Sequence, residues 1–196
     1  MPFNLPNVLT VARMLMIFVS LVLATNAGDP GVEPQFSDLI LRYIAFGLAF
    51  LAGITDLVDG YLARKWNQVT DFGALMDPLA DKVFVTVSMF FLVAIQLIPA
   101  WVAAIVICRE FMVTGLRTLA AKNGKVISAD KLGKLKTFLQ MMLLLVSALI
   151  WMQVIRQDTL PAIWIMRVLI GGVVVVTVVS GANYFIKNRD LIAEKQ

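Results

Sequence analysis

Five stretches without a charged residue constrain this chain more than any other feature: Met14 to Gly28, Tyr43 to Thr55, Val83 to Cys108, Thr137 to Ile155 and Val168 to Ile186. Hydrophobic residues make up 60% of the 196 positions, and the mean hydropathy is +0.84. A soluble fold of this size could not hide so much apolar side chain, because its usual apolar share is roughly 45–50%. Lipid must therefore solvate part of the surface. A spanning helix needs about 20 mostly apolar residues. The last two runs nearly reach that length, the first two must continue into polar sequence, and the third is long enough for Pro99 to divide it. The expected fold is all-α and integral to the membrane. It is a bundle of six transmembrane helices at roughly 5–26, 38–65, 77–98, 100–121, 131–156 and 160–187, forming a single domain over 1–196.

The first run is expected to be a retained span. A secretory signal wants a basic leading segment, and the only early charge, Arg13, stands inside the apolar stretch. Lysine and arginine then orient the bundle. Arg64, Lys65 and Lys82 flank one junction. Arg117, Lys122, Lys125, Lys131, Lys134 and Lys136 surround another, and Lys187, Arg189 and Lys195 end the chain. The other side offers Asp29, Glu33 and Asp38 near Arg42, then Arg156 beside Asp158. Positive charge stays in the cytoplasm, so both termini and the basic face are expected there, in a multi-pass protein of the cell membrane. The net charge of +4 suits anionic lipid or phosphorylated substrates, and a chain this apolar makes a poor nucleic-acid binder. Cys108 has no partner for a disulfide. No connection is long enough to form a soluble domain, so function must reside in the helices and their cytoplasmic ends.

Charged residues stand where apolar ones would be expected. Asp56, Asp59, Gly60 and Ala63 follow i, i+3, i+4, i+7 spacing and share one helix face. Gly73, Asp77 and Asp81 are spaced by four and form a second stripe in a helix. One bland alternative makes Asp77-Pro78 a helix start, with Asp77 capping and proline in the first turn; that would break the second stripe. Four carboxylates held close together repel unless a cation or protons neutralise them. Hard divalent cations take such oxygen ligands and share them with substrate phosphates. The four aspartates are therefore read as a metal site for Mg2+ or Mn2+.

Asp56-x2-Asp59-Gly60-x2-Ala63-Arg64-x8-Gly73-x3-Asp77-x3-Asp81 resembles the signature of the CDP-alcohol phosphotransferases, with every signature position matched. The resemblance implies a homodimeric six-helix membrane enzyme whose site opens to the cytoplasm. It implies two metal ions on Asp56, Asp59, Asp77 and Asp81, with Asp81 also the catalytic base, and a CDP-binding role for Gly60, Ala63, Arg64 and Gly73. In this family an acceptor hydroxyl attacks the β-phosphate of a CDP-linked alcohol and CMP departs. The chain contains no histidine, so a carboxylate is the natural base.

Three further segments are similar to those of the bacterial phosphatidylglycerophosphate synthase subfamily: Asn4 to Arg13, Arg109 to Arg117, and Gly133 to Thr137. That likeness implies CDP-diacylglycerol as donor and sn-glycerol 3-phosphate as acceptor. Arg109 and Glu110 lie inside the fourth apolar span, where ionisable residues are functional candidates by default. The competing reading is a buried pair that only locks helices. Arg109, Arg117, Lys134 and Lys136 form the expected grip on the acceptor phosphate, although lysines at this face also serve as headgroup anchors. Asn7 and Thr10 are candidates for substrate contact or for helix capping. Gly171-Gly172 and Ser180-Gly181 are expected to allow close helix approach.

Three other functions compete. The same chemistry could take serine or inositol phosphate, or the acidic site could serve a cation transporter. A prenyl-transferring enzyme also pairs aspartates, but more tightly spaced. Acyl-chain preference, the preferred metal, the dimer contacts and regulation leave no readable trace in the sequence.

Overall fold

The computed structural model describes residues 5–28, 34–65, 71–122 and 131–189; at 5–7, 9, 56–65, 71–81 and 122 the description is of the helix alone. Six helices follow in order: α1 (Leu5–Thr25), α2 (Phe36–Lys65), α3 (Asp71–Ala94), α4 (Ala100–Lys122), α5 (Lys131–Trp151) and α6 (Leu160–Lys187). No strand occurs among the described residues. The all-helical expectation holds.

Three boundaries differ from those expected by more than two residues. The third helix begins at Asp71, not 77, and runs through Pro78 without a break. Proline costs about 3 kcal/mol inside a helix, yet membrane helices tolerate it because neighbouring groups satisfy the freed carbonyl. Asp77 is consequently not a cap, and Gly73, Asp77 and Asp81 ride on one continuous helix. The fifth helix stops at Trp151 instead of 156. Gln153 takes a left-handed φ of 62°, its N–H donates to the Ile150 carbonyl at 2.9 Å, and the Val154 N–H reaches back to the Leu149 carbonyl at 2.9 Å. This pair of bonds is a Schellman termination with glutamine in the usual glycine place. Gln96, with φ 58°, ends the third helix in a similar way, which is why it stops at Ala94 and not at 98.

Among the described residues, three helical segments are long and apolar enough to cross a membrane: Phe36–Thr55, Lys131–Trp151 and Leu160–Lys187. Shorter apolar segments cover Thr10–Thr25 and Lys82–Ala94. In α4 the apolar character is interrupted by Arg109, Glu110 and Arg117.

The chain divides into two compact units, Met1–Gln96 and Leu97–Gln196. In the first, α1 packs on both α2 and α3. Ala24, Ala45 and Ala52 are buried and keep the backbones close, and the Ser20 hydroxyl donates to the Ala45 carbonyl at 2.8 Å. The α1–α2 connection is latched by side chains. Buried Arg42 donates from Nε to the Ala27 carbonyl at 3.1 Å, and the Asp38 carboxylate accepts the Gln35 N–H at 2.9 Å in half of a capping box. Gly28 has φ +74°, and a Cβ there would stand 2.8 Å from Asp38 Oδ2, so both backbone and space require glycine.

In the second unit α4 and α5 both pack on α6. The α5–α6 pair is antiparallel: Leu139 faces Gly172, and Ser147 meets the Met166 sulfur at 3.9 Å. Both units are arranged inside out. Leu15, Phe18, Val168, Val175 and Ile186 face outward, while Arg13, Arg42, Lys136, Gln140 and Thr177 are buried. Outward apolar side chains need lipid, and ionisable groups inside such helices mark function or internal pairing.

Candidate active site

The aspartate signature falls on two helix segments of the first unit. Asp56, Asp59, Gly60, Ala63 and Arg64 occupy the last three turns of α2, and Gly73, Asp77 and Asp81 the first three turns of α3. Both spacings predicted from the sequence are thus helical throughout. The side chains of these eight residues lie outside the described ones. Among the described residues no group of three or more histidines, cysteines or acids could hold a metal, and the side chains of the four aspartates lie outside that set. Their donor chemistry fits: carboxylate oxygens on two helices suit Mg2+ or Mn2+, which prefer hard oxygen ligands.

The described side-chain chemistry belongs to the second unit. On α4, Arg109 Nη1 donates to Glu110 Oε1 at 3.2 Å, and Nη2 donates to Ser180 Oγ on α6 at 3.3 Å. Buried Lys136 on α5 donates to the same Glu110 oxygen. Two cations from two helices therefore converge on one carboxylate. The arrangement leaves one positive charge uncompensated among the described side chains. Arg109 Nε is buried without a partner. A buried pair is retained at a desolvation cost of several kcal/mol per ion, and surplus positive charge inside an apolar helix set attracts an anion. Charge-assisted bonds to phosphate would repay part of that cost.

Small residues make room for this arginine. A Cβ on Gly181 would stand 3.3 Å from Arg109 Cγ, and one on Gly133 would stand 3.9 Å from Nη2. The expected close approach at Ser180-Gly181 is therefore an approach to Arg109. Gly172 faces Leu139 at 3.7 Å, whereas Gly171 has open space where its Cβ would be.

The structure does not bring the four basic residues proposed from sequence into one cluster. Arg109 and Lys136 meet at Glu110. Arg117, two turns further along α4, donates from Nε to the Tyr184 hydroxyl at 2.9 Å, with its guanidinium 5.7 Å from the centre of that ring. Lys134 is exposed, as its two-residue offset from buried Lys136 requires. Thr10 is buried on α1 with Arg13 one turn on. Because α1 begins at Leu5, Thr10 is not a cap. The side chain of Asn7 lies outside the described residues.

Ser180, Tyr184 and the shared role of Glu110 were not assigned from sequence. Their only trace is spacing: 180 and 184 stand one turn apart on α6, in a run otherwise read as packing.

A family model described as CDP-alcohol phosphatidyltransferase matches residues 3–179. The chain is similar to the CDP-diacylglycerol–glycerol-3-phosphate 3-phosphatidyltransferase of Bacillus subtilis (strain 168), at 40% identity over 197 residues, covering 97% of each chain. It is similar to the protein of the same description from Rickettsia typhi (strain ATCC VR-144 / Wilmington), at 34% identity over 189 residues, covering 93% of this chain and 95% of the relative. A probable phosphatidylglycerophosphate synthase of Mycobacterium tuberculosis (strain ATCC 25618 / H37Rv) is 37% identical over 137 residues, covering 70% of this chain and 62% of the relative.

Proposed function

We infer that this chain, which belongs to the CDP-alcohol phosphatidyltransferase family, transfers the phosphatidyl group of CDP-diacylglycerol to sn-glycerol 3-phosphate. The products are phosphatidylglycerophosphate and CMP, in phospholipid biosynthesis. The reading is supported by relatives of that description matched over nearly the whole chain. The single observation that carries the acceptor is the convergence of Arg109 and Lys136 on Glu110, with one positive charge to spare among the described side chains. Serine would need no such surplus.

In the reaction the acceptor hydroxyl oxygen forms a bond to the β-phosphorus. The bond from that phosphorus to the bridging oxygen breaks, and the electron pair leaves with CMP. Asp81 takes the hydroxyl proton, as the chain offers no histidine for the task. Asp56, Asp59, Asp77 and Asp81 hold two Mg2+ or Mn2+ ions. When bound, these supply charge neutralisation for the diphosphate and the departing phosphate. Gly60, Ala63, Arg64 and Gly73 bind the CDP part, with the small residues Gly60, Ala63 and Gly73 letting a nucleotide approach the backbone. Arg109 and Lys136 grip the acceptor phosphate. Arg117 and Lys134 have lesser roles, since Arg117 is committed to Tyr184 and Lys134 is exposed.

The enzyme is read as a single catalytic domain over 1–196, working as a homodimer in the cell membrane with both termini and the site toward the cytoplasm. The lysine and arginine bias supports this orientation. The direct test is CMP release by purified protein given CDP-diacylglycerol, Mg2+ and one acceptor at a time. Release with glycerol 3-phosphate alone, lost in Asp81→Asn, is expected. Release with serine or inositol phosphate instead would overturn the acceptor.

A further inference from the structure

One turn beyond Lys136 on the buried face of α5 stands Gln140, with only 1% of its surface exposed. Neither its amide nitrogen nor its amide oxygen has a hydrogen-bond partner. On the facing side of α6, Thr177 is fully buried and its hydroxyl is likewise unpartnered. The α5–α6 register, set by Leu139 against Gly172 and Ser147 against Met166, places Thr177 level with the Lys136 turn. Ser180, which bonds Arg109, donates to the Thr177 carbonyl at 3.1 Å, so the cation cluster and the threonine are joined along α6. Buried polar groups are normally satisfied. Three unpaired polar atoms on adjoining helix faces beside a cation pair are an arrangement that packing alone would select against.

We propose that Gln140 and Thr177 form a hydroxyl-binding subsite that reads the secondary hydroxyl of a phosphorylated polyol whose phosphate is held by Arg109 and Lys136. The inference rests on the acceptor reading above and assigns specificity to residues that reading does not use. A hydroxyl group is both donor and acceptor. The Gln140 amide offers one atom of each kind, and the Thr177 hydroxyl can turn to serve either. Lys136 and Gln140 are separated by one helical turn, ~6 Å, which suits the reach from a phosphate to a hydroxyl two carbons away. A site built to bond a substrate hydroxyl discriminates strongly against an analogue without it, because the site's own polar atoms are then left unpaired. Gln140 and Thr177 would thereby select a polyol phosphate over a simple phosphorylated alcohol.

The test compares glycerol 3-phosphate with 3-hydroxypropyl phosphate, which keeps the phosphate and a primary hydroxyl but lacks the secondary one. Wild-type kcat/KM is expected to favour glycerol 3-phosphate by about 10- to 100-fold, the scale of leaving a buried polar atom unpaired. In Gln140→Met, which keeps an unbranched chain of similar length, kcat/KM for glycerol 3-phosphate falls by about that factor while the value for the analogue stays within about twofold. Thr177→Val shifts discrimination in the same direction by a smaller factor. The Tm of detergent-purified Gln140→Met is expected to equal or exceed wild type, because an unpaired amide leaves the interior. Equal losses on both acceptors, no loss on either, or a fall in Tm accompanying uniform loss would overturn the subsite. Failure of the wild type to release CMP with glycerol 3-phosphate would instead overturn the acceptor reading, and the subsite with it.

Discussion

Glu110 holds more of the described chemistry than any other residue. One of its oxygens accepts from both Arg109 and Lys136, so its removal leaves half-buried Arg109 and buried Lys136 facing each other. Breaking a buried ion pair from one side costs about 3–5 kcal/mol. Glu110→Gln is therefore expected to lower Tm by several degrees and to raise KM for glycerol 3-phosphate at least tenfold. A normal KM in the folded variant would show that the cations need no carboxylate to stay in place. Lys136→Met and Lys134→Ala divide the basic set: the first is expected to cut kcat/KM about 10- to 100-fold, the worth of a charge-assisted bond, and the second less than about twofold. Steady-state kinetics with varied glycerol 3-phosphate separates them. Arg109 was visible in the sequence because charge inside an apolar span is conspicuous. Lys136 and Lys134 looked alike at the end of the fifth span, since a two-residue offset decides burial only once the helix face is known.

At the scale of the element, the uncharged apolar runs and Pro99 located the six helices, while their ends were set by backbone detail. The Asp77-Pro78 pair invited a helix start; the chain instead continues through it, because a proline in a membrane helix can be accommodated by its surroundings. The expected ends at 98 and 156 overran for a different reason. Gln96 and Gln153 adopt left-handed conformations with φ of 58° and 62°, and glutamine carries no sequence signal for that. Gln153→Gly should relieve the strain and raise Tm by a few degrees, since the left-handed region costs a non-glycine residue roughly 1–2 kcal/mol; a lower Tm would mean that the glutamine side chain holds the turn. Gly171 and Gly181 make a second contrast. Open space surrounds the one and Arg109 crowds the other at 3.3 Å. Gly181→Val is expected to raise KM for the acceptor about tenfold or more by displacing Arg109, whereas Gly171→Ala should leave KM unchanged and slightly increase stability.

For the whole molecule, the apolar runs and the inside-out placement of charge describe a membrane protein. The residues proposed for the site are divided between the two units. Asp56, Asp59, Asp77 and Asp81 lie on helices of Met1–Gln96, and the cation cluster lies in Leu97–Gln196. The helical placement of the aspartate signature was legible from spacing, because eight residues of four types stand at fixed intervals on two helices. The cation cluster was only partly legible, because Glu110, Ser180 and Tyr184 come together through helix packing and share no local pattern. Chelation of divalent metal should abolish CMP release, and excess Mg2+ or Mn2+ should restore it; full activity in a chelator would remove the aspartates from their proposed role. The most direct measurement of the proposed reaction follows radiolabelled glycerol 3-phosphate into lipid. In membranes containing CDP-diacylglycerol, the purified chain is expected to convert the label into a chloroform-soluble phosphatidylglycerophosphate with stoichiometric CMP, and Asp81→Asn is expected to yield neither. Label remaining water-soluble with active donor and folded protein would contradict it.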